Sequence, residues 1–163
     1  MNDPIQVVVG VLRRDDSRIL LCQRLGHKAY PLQWEFPGGK VEQSEGYEEA
    51  LVRELREELG IETRIGRLLH HEVASYDDGR VFEVRYYLIE QWQGVPENRD
   101  FAEIRWIAAT DIRALPMLQG NTTICDLIQH PGIDAMGVRS RDPGKPPPRR
   151  DVDGFETDGR GAA

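Results

Sequence analysis

Residues 38–61 read GGKVEQSEGYEEALVRELREELGI, and this stretch limits the fold and chemistry of the chain more than any other. Leu51, Leu55 and Leu59 recur every four residues with Val52 beside them, which predicts one apolar stripe on a helix from about Tyr47 to Leu59. Gly46 is an acceptable N-cap, and Gly60 stands where helices commonly end in a left-handed residue. On that helix Glu54 faces the same way as Glu57 and Glu58, because residues three and four apart are neighbours. Three like charges there repel one another and weaken the helix unless something positive sits between them.

A solvated acidic face is the plain alternative. Three features argue against it. Only Arg53 and Arg56 interrupt the acids, so they are not interleaved with bases at salt-bridge spacing. A Pro37-Gly38-Gly39 turn brings backbone close to whatever the acids hold. Glu45 lies in the loop just before the helix, within reach of the same cluster. Carboxylates without His or Cys select hard cations, Mg²⁺ or Mn²⁺.

Gly39, Glu45, Arg53, Glu54, Leu55, Glu57, Glu58, Gly60 and Ile61 fall at the spacing of the Nudix box. The chain resembles MutT-type Nudix hydrolases of the 8-oxo-dGTP diphosphatase kind, and the likeness runs from about Ile5 to about His130. Trp34-Glu35-Phe36-Pro37-Gly38-Gly39-Lys40 is similar to the segment that leads into the box in those enzymes. The resemblance implies Mg²⁺-dependent hydrolysis of a nucleoside triphosphate to monophosphate and pyrophosphate, by attack at the β-phosphorus; the alternatives are a pyrimidine triphosphate or dinucleoside polyphosphate as substrate, or a non-hydrolytic module that senses a nucleotide. It implies metal held by Glu54, Glu57 and Glu58 with backbone at Gly38. Glu54 is then the first candidate for general base and Glu45 the second, with Arg53 orienting a box carboxylate. For substrate it points to Arg24 on the phosphates, with Phe36, Gly38, Gly39 and Lys40 around them; Lys28 is a further candidate. A glutamate often stands six residues before Trp106 in MutT-like proteins. Asp100 holds that position here, one methylene shorter, with Glu103 as the alternative for the metal or water role.

Composition bounds the remainder. One domain suits 163 residues, and 39% apolar content is enough for a core. A net charge of −7 argues against polymeric nucleic acid as partner, but not against a small phosphorylated one. No apolar run approaches the roughly 20 residues of a membrane span, and the first residues lack a signal-peptide pattern. A cytoplasmic monomer or homodimer is expected, with Cys22 and Cys125 as buried free thiols.

Gln6–Leu12 is β-branched and apolar on both faces, as in a central strand, and Arg18–Gln23 should return as its hairpin partner. Residues 63–75 and 81–92 form a second hairpin across an Asp78-Gly79 turn that also carries Tyr76. Ile104–Ile107 is a short strand. Ile124, Leu127 and Ile128 mark a last helix that ends before Pro131. The expected class is α/β, a mixed sheet sandwiched between helices as in the Nudix fold. Asn121 has two roles open, as helix N-cap or as a carboxamide that pairs with a purine edge. In MutT an asparagine just before the last helix reads the oxidised guanine. Residues 1–131 are expected to form the domain. Residues 132–163, rich in Pro and mixed charge, should form a flexible tail.

Overall fold

The computed structural model describes residues 3–75 and 78–130. Tyr76 and the expected tail from Gly132 onward lie outside the described residues. Within them the chain runs β1 (Ile5–Leu12), β2 (Arg18–Gln23), β3 (Trp34–Glu35), β4 (Gly38–Lys40) and α1 (Tyr47–Leu59). There follow β5 (Glu62–Arg64), β6 (Leu68–Ser75), β7 (Val81–Ile89), β8 (Gln91–Gln93), β9 (Glu103–Ala108), two short 3₁₀ turns and α2 (Thr122–Gln129).

Strand β1 lies inside a four-stranded sheet of order β4-β1-β7-β6, parallel to β7 and antiparallel to β4. This is the mixed sheet expected. Alternate residues of β1 and β2 feed two separate cores. Val8, Leu12, Leu20 and Cys22 pack with Leu51, Leu55 and Leu59 of α1. Val9, Val11, Ile19 and Leu21 pack with Ile124, Cys125 and Ile128 of α2. Both faces of the strands are therefore apolar because a helix covers each of them, giving the α/β/α layering. Both cysteines are free and buried.

Four local expectations need correction. The β1–β2 hairpin closes with a single bridge, Arg13 to Ile19, and the strands then part into different sheets. β4 and β7 already occupy both edges of β1, so β2 pairs with β3 and β9 instead. The 63–75 segment breaks at Gly66, whose N–H bonds Leu88 O at 2.9 Å. A Cβ there would lie 2.2 Å from that same oxygen, so only glycine permits the approach. The 81–92 strand ends at Ile89, and β8 leaves to pair with β5. On α2, Leu127 is exposed and Cys125 takes the inward position. No helix among the described residues is long and apolar enough to cross a membrane.

Candidate active site

Helix α1 starts where Glu49 accepts a hydrogen bond from the Gly46 N–H at 2.9 Å, and it ends at Gly60 with φ 68°. Its apolar stripe is buried against β1, which turns the acidic face toward β4. There, two adjacent glycines let the helix and the strand meet. A Cβ on Gly39 would sit 2.2 Å from the carboxylate of Glu54, and one on Gly38 would sit 2.1 Å from the Val8 carbonyl of β1. The Gly38 N–H donates to Glu58 Oε2 at 3.0 Å.

Arg53 is the hub of the cluster. It donates to both oxygens of Glu45 (2.6 and 3.1 Å), to Glu54 Oε1 (2.9 Å) and to the Lys40 carbonyl (3.0 Å). Its Nη1 also lies 3.5 Å from Glu57. That guanidinium holds the Glu45 carboxyl below its ordinary pKa. Glu54 moves the other way, raised by burial against the pull of Arg53. Glu58 is pushed up to about 8, first by burial and then by the charges of Glu54, Glu35 and Asp100.

In front of this face opens a cleft of about 680 Å³, lined by Arg24, Lys28, Phe36, Gly38, Gly39, Lys40, Glu58 and Asp100 at one end. Glu72, Tyr86, Gly120 and Asn121 line the other. Asn121 is the only buried polar or charged residue among those described, and its side chain makes no capping bond to α2.

The model of the NUDIX domain matches residues 4–125. The chain belongs to the Nudix family. It is 35% identical over 116 residues to the CTP pyrophosphohydrolase of Escherichia coli, covering 69% of this chain and 82% of that one. To the 8-oxo-dGTP diphosphatase of Haemophilus influenzae it is 37% identical over 103 residues, covering 63% and 75%. The crystal structure of the MutT NUDIX hydrolase from Burkholderia pseudomallei superimposes with a TM-score of 0.71 at 27% identity, covering 78% of this chain and all of that one.

Nudix hydrolases generally need a divalent metal. Among the described residues no three carboxylate, imidazole or thiol groups already converge as a ligand set. The reason is visible: Glu54 and Glu57 lean on Arg53, while Glu58 leans on the Gly38 N–H. The donor set nevertheless suits a hard cation. All of its groups are carboxylate oxygens, and Glu58, whose pKa is raised first by burial, also feels the charges of Glu54, Glu35 and Asp100. The Nudix-box acids therefore fit an ion that draws them together.

Other expected residues are placed less simply. Glu45 is committed to Arg53 with both oxygens, and its lowered pKa makes it an anchor and a poor base. Arg24 lines the cleft but spends Nη1 on Glu35 (2.8 Å) and Nε on the Ala29 carbonyl (2.7 Å). Asp100 is bonded to Lys28 Nζ at 2.9 Å across the cleft mouth. Its loop is fixed to the end of α1 by the Arg99 N–H on Glu58 O and the Glu97 N–H on Leu59 O. Glu103 bonds Arg105 at 2.8 Å on β9 and does not line the cleft. Sequence reasoning missed Glu35 and Glu72. Each sits at an ordinary polar strand position, and only sheet packing carries it to the cleft.

Proposed function

We propose that this Nudix chain hydrolyses nucleoside triphosphates to nucleoside monophosphate and pyrophosphate with Mg²⁺, Mn²⁺ serving as a substitute. Its preferred substrate on this reading is 8-oxo-dGTP, cleared from the nucleotide pool. Glu54, Glu57 and Glu58 would hold the ion, with backbone at Gly38 beside them. The bound ion supplies neutralisation of phosphate charge and acidification of water. Arg53, anchored by Glu45, keeps the Glu54 carboxylate in place as the candidate general base. Lys40 lines the cleft, and Arg24 and Lys28 would reach the phosphates by exchanging Glu35 and Asp100 for them. Phe36, buried in the wall beside them, shapes the cleft.

The observation that carries the substrate is Asn121. A buried carboxamide that caps nothing and lines the far end of the cleft is available to a base edge. The 8-oxo-dGTP diphosphatase among the relatives supports this choice. The CTP pyrophosphohydrolase relative supports a second reading, a pyrimidine triphosphate as substrate. Measuring kcat/KM over 8-oxo-dGTP, dGTP, dCTP and a dinucleoside polyphosphate decides between them. A preference of about a hundredfold for 8-oxo-dGTP over dGTP, some 2.7 kcal/mol at about 1.36 kcal/mol per decade, is expected. Asn121→Ala should erase it; an unchanged ratio in that variant sinks the base-reading role.

A further inference from the structure

At the far end of the cleft, several acceptors face one hydroxyl. The Tyr86 hydroxyl lies 3.2 Å from Glu72 Oε1, 3.0 Å from the Gly120 carbonyl and 3.5 Å from Asn121 Oδ1. A phenol has one proton to donate, so three acceptors converge on one hydrogen. The second oxygen of Glu72 is 3.3 Å from His70 Nε2. The His70 ring in turn lies against Tyr86, centroids 5.9 Å apart and tilted by 31°. Glu72 is thus gripped on two sides, its side chain 24% exposed, and it lines the same cleft as Asn121.

We propose that Glu72 is a specificity-determining residue. Its carboxylate accepts hydrogen bonds from N–H donors on the edge of the substrate base, beside Asn121, and so selects guanine-type bases. The proposal rests on the reading of this cleft as the base site of a nucleoside triphosphate hydrolase. An ionised carboxylate is acceptor-only, and a partly desolvated acceptor left without a donor is costly. Guanine meets it with two adjacent donors, the ring N1–H and the exocyclic N2 amine. Cytosine and adenine bring one amine next to a bare ring nitrogen, whose lone pair faces the carboxylate. Uracil and thymine bring one imino group flanked by two carbonyls. The carboxamide of Asn121 both donates and accepts: its N–H suits O6, and its oxygen suits position 7, which is an N–H in 8-oxoguanine and a bare nitrogen in guanine. Oxidation at C8 leaves N1–H and the N2 amine in place. Glu72 therefore serves guanine and 8-oxoguanine alike, and the choice between these two falls to Asn121.

The test is kcat/KM for the full-length protein and Glu72→Gln on dGTP and dITP, which differ only by the N2 amine. Gln keeps the shape of the side chain and replaces one acceptor with a donor. The expected result is a loss of about 10- to 100-fold on dGTP, the scale of one good bidentate base contact. The loss on dITP should be about threefold or less, so the dGTP:dITP ratio collapses toward one. The ratio is independent of how much of a preparation is folded. A ratio within twofold of the parent's overturns the proposal whatever the absolute rates. If the parent protein hydrolyses neither nucleotide nor any other triphosphate, the hydrolase reading fails and this proposal fails with it. Turnover of both with an unmoved ratio removes Glu72 alone.

Discussion

Gly39→Ala should abolish most turnover while leaving the fold intact, whereas the neighbouring Gly38→Ala should destabilise the fold itself. The added methyl on residue 39 would lie 2.2 Å from Cδ and Oε1 of Glu54, against an ordinary contact of at least 3.4 Å. The carboxylate must retreat by more than an ångström. Because it ends a flexible side chain, the helix has no need to move, and the loss is limited to its bond with Arg53. That bond is partly buried and contributes about 1 kcal/mol, which for a domain of this size moves Tm by roughly 3–5 °C. A misplacement of about 1 Å at a catalytic group costs on the order of a hundredfold in rate. On residue 38 the methyl would instead meet backbone, 2.1 Å from the Val8 carbonyl, at φ 151°. Strands β1 and β4 would have to separate, a loss of roughly 3 kcal/mol or more of the kind produced by strained backbone and broken pairing. Pyrophosphate release with Mg²⁺ and thermal denaturation, run side by side on both variants, test this. A Gly39→Ala protein that turns over within threefold of the parent refutes the idea that this contact sets the position of Glu54. One that unfolds as readily as Gly38→Ala refutes the separation of site from scaffold.

Two further outcomes are expected. In the ion-free protein the Glu58 pKa is raised from its ordinary 4.5 to about 8, so the stability tied to its proton is full below pH 4.5 and lost as pH rises through 8. At pH 7 the carboxyl is still largely protonated. Mn²⁺ binding should then release close to one proton, read by calorimetric titration in two buffers of different ionisation enthalpy; equal heats in both would contradict it. Arg53→Lys keeps the charge but not the fork that spans Glu45, Glu54 and the Lys40 carbonyl. The kcat should drop about 10- to 100-fold, by analogy with lost positioning contacts, with KM changing little; an undiminished kcat would show that charge alone suffices.

Much of this site was legible in the chain because its parts are local. Leu51, Leu55 and Leu59 set the face of α1 that must be buried, and the helical repeat then puts Glu54, Glu57 and Glu58 together on another. Gly60 marked the end of the helix, and Gly38 and Gly39 marked a close approach, although not what approaches. Arg53 could be assigned a carboxylate partner, but its choice of Glu45 depends on the path of the loop between β4 and α1.

The periodicity of single segments determined the helices, the central strands and the acid cluster, because neighbours three, four or two residues apart share a face whatever the rest of the chain does. Edge pairing was not determined in that way. β1 and β2 look like a hairpin in one dimension, yet each has two edges, and strands far along the chain compete for them. The end of the cleft proposed to take the base depends on the same competition. Glu72, Tyr86 and Asn121 come from β6, β7 and the turn before α2, and meet only because β7 pairs with both β1 and β6 while α2 packs on that face. The spacing of acids along one helix therefore carried the candidate metal-binding acids in the sequence itself. Packing between segments distant along the chain decided which acceptors line the far end of the cleft.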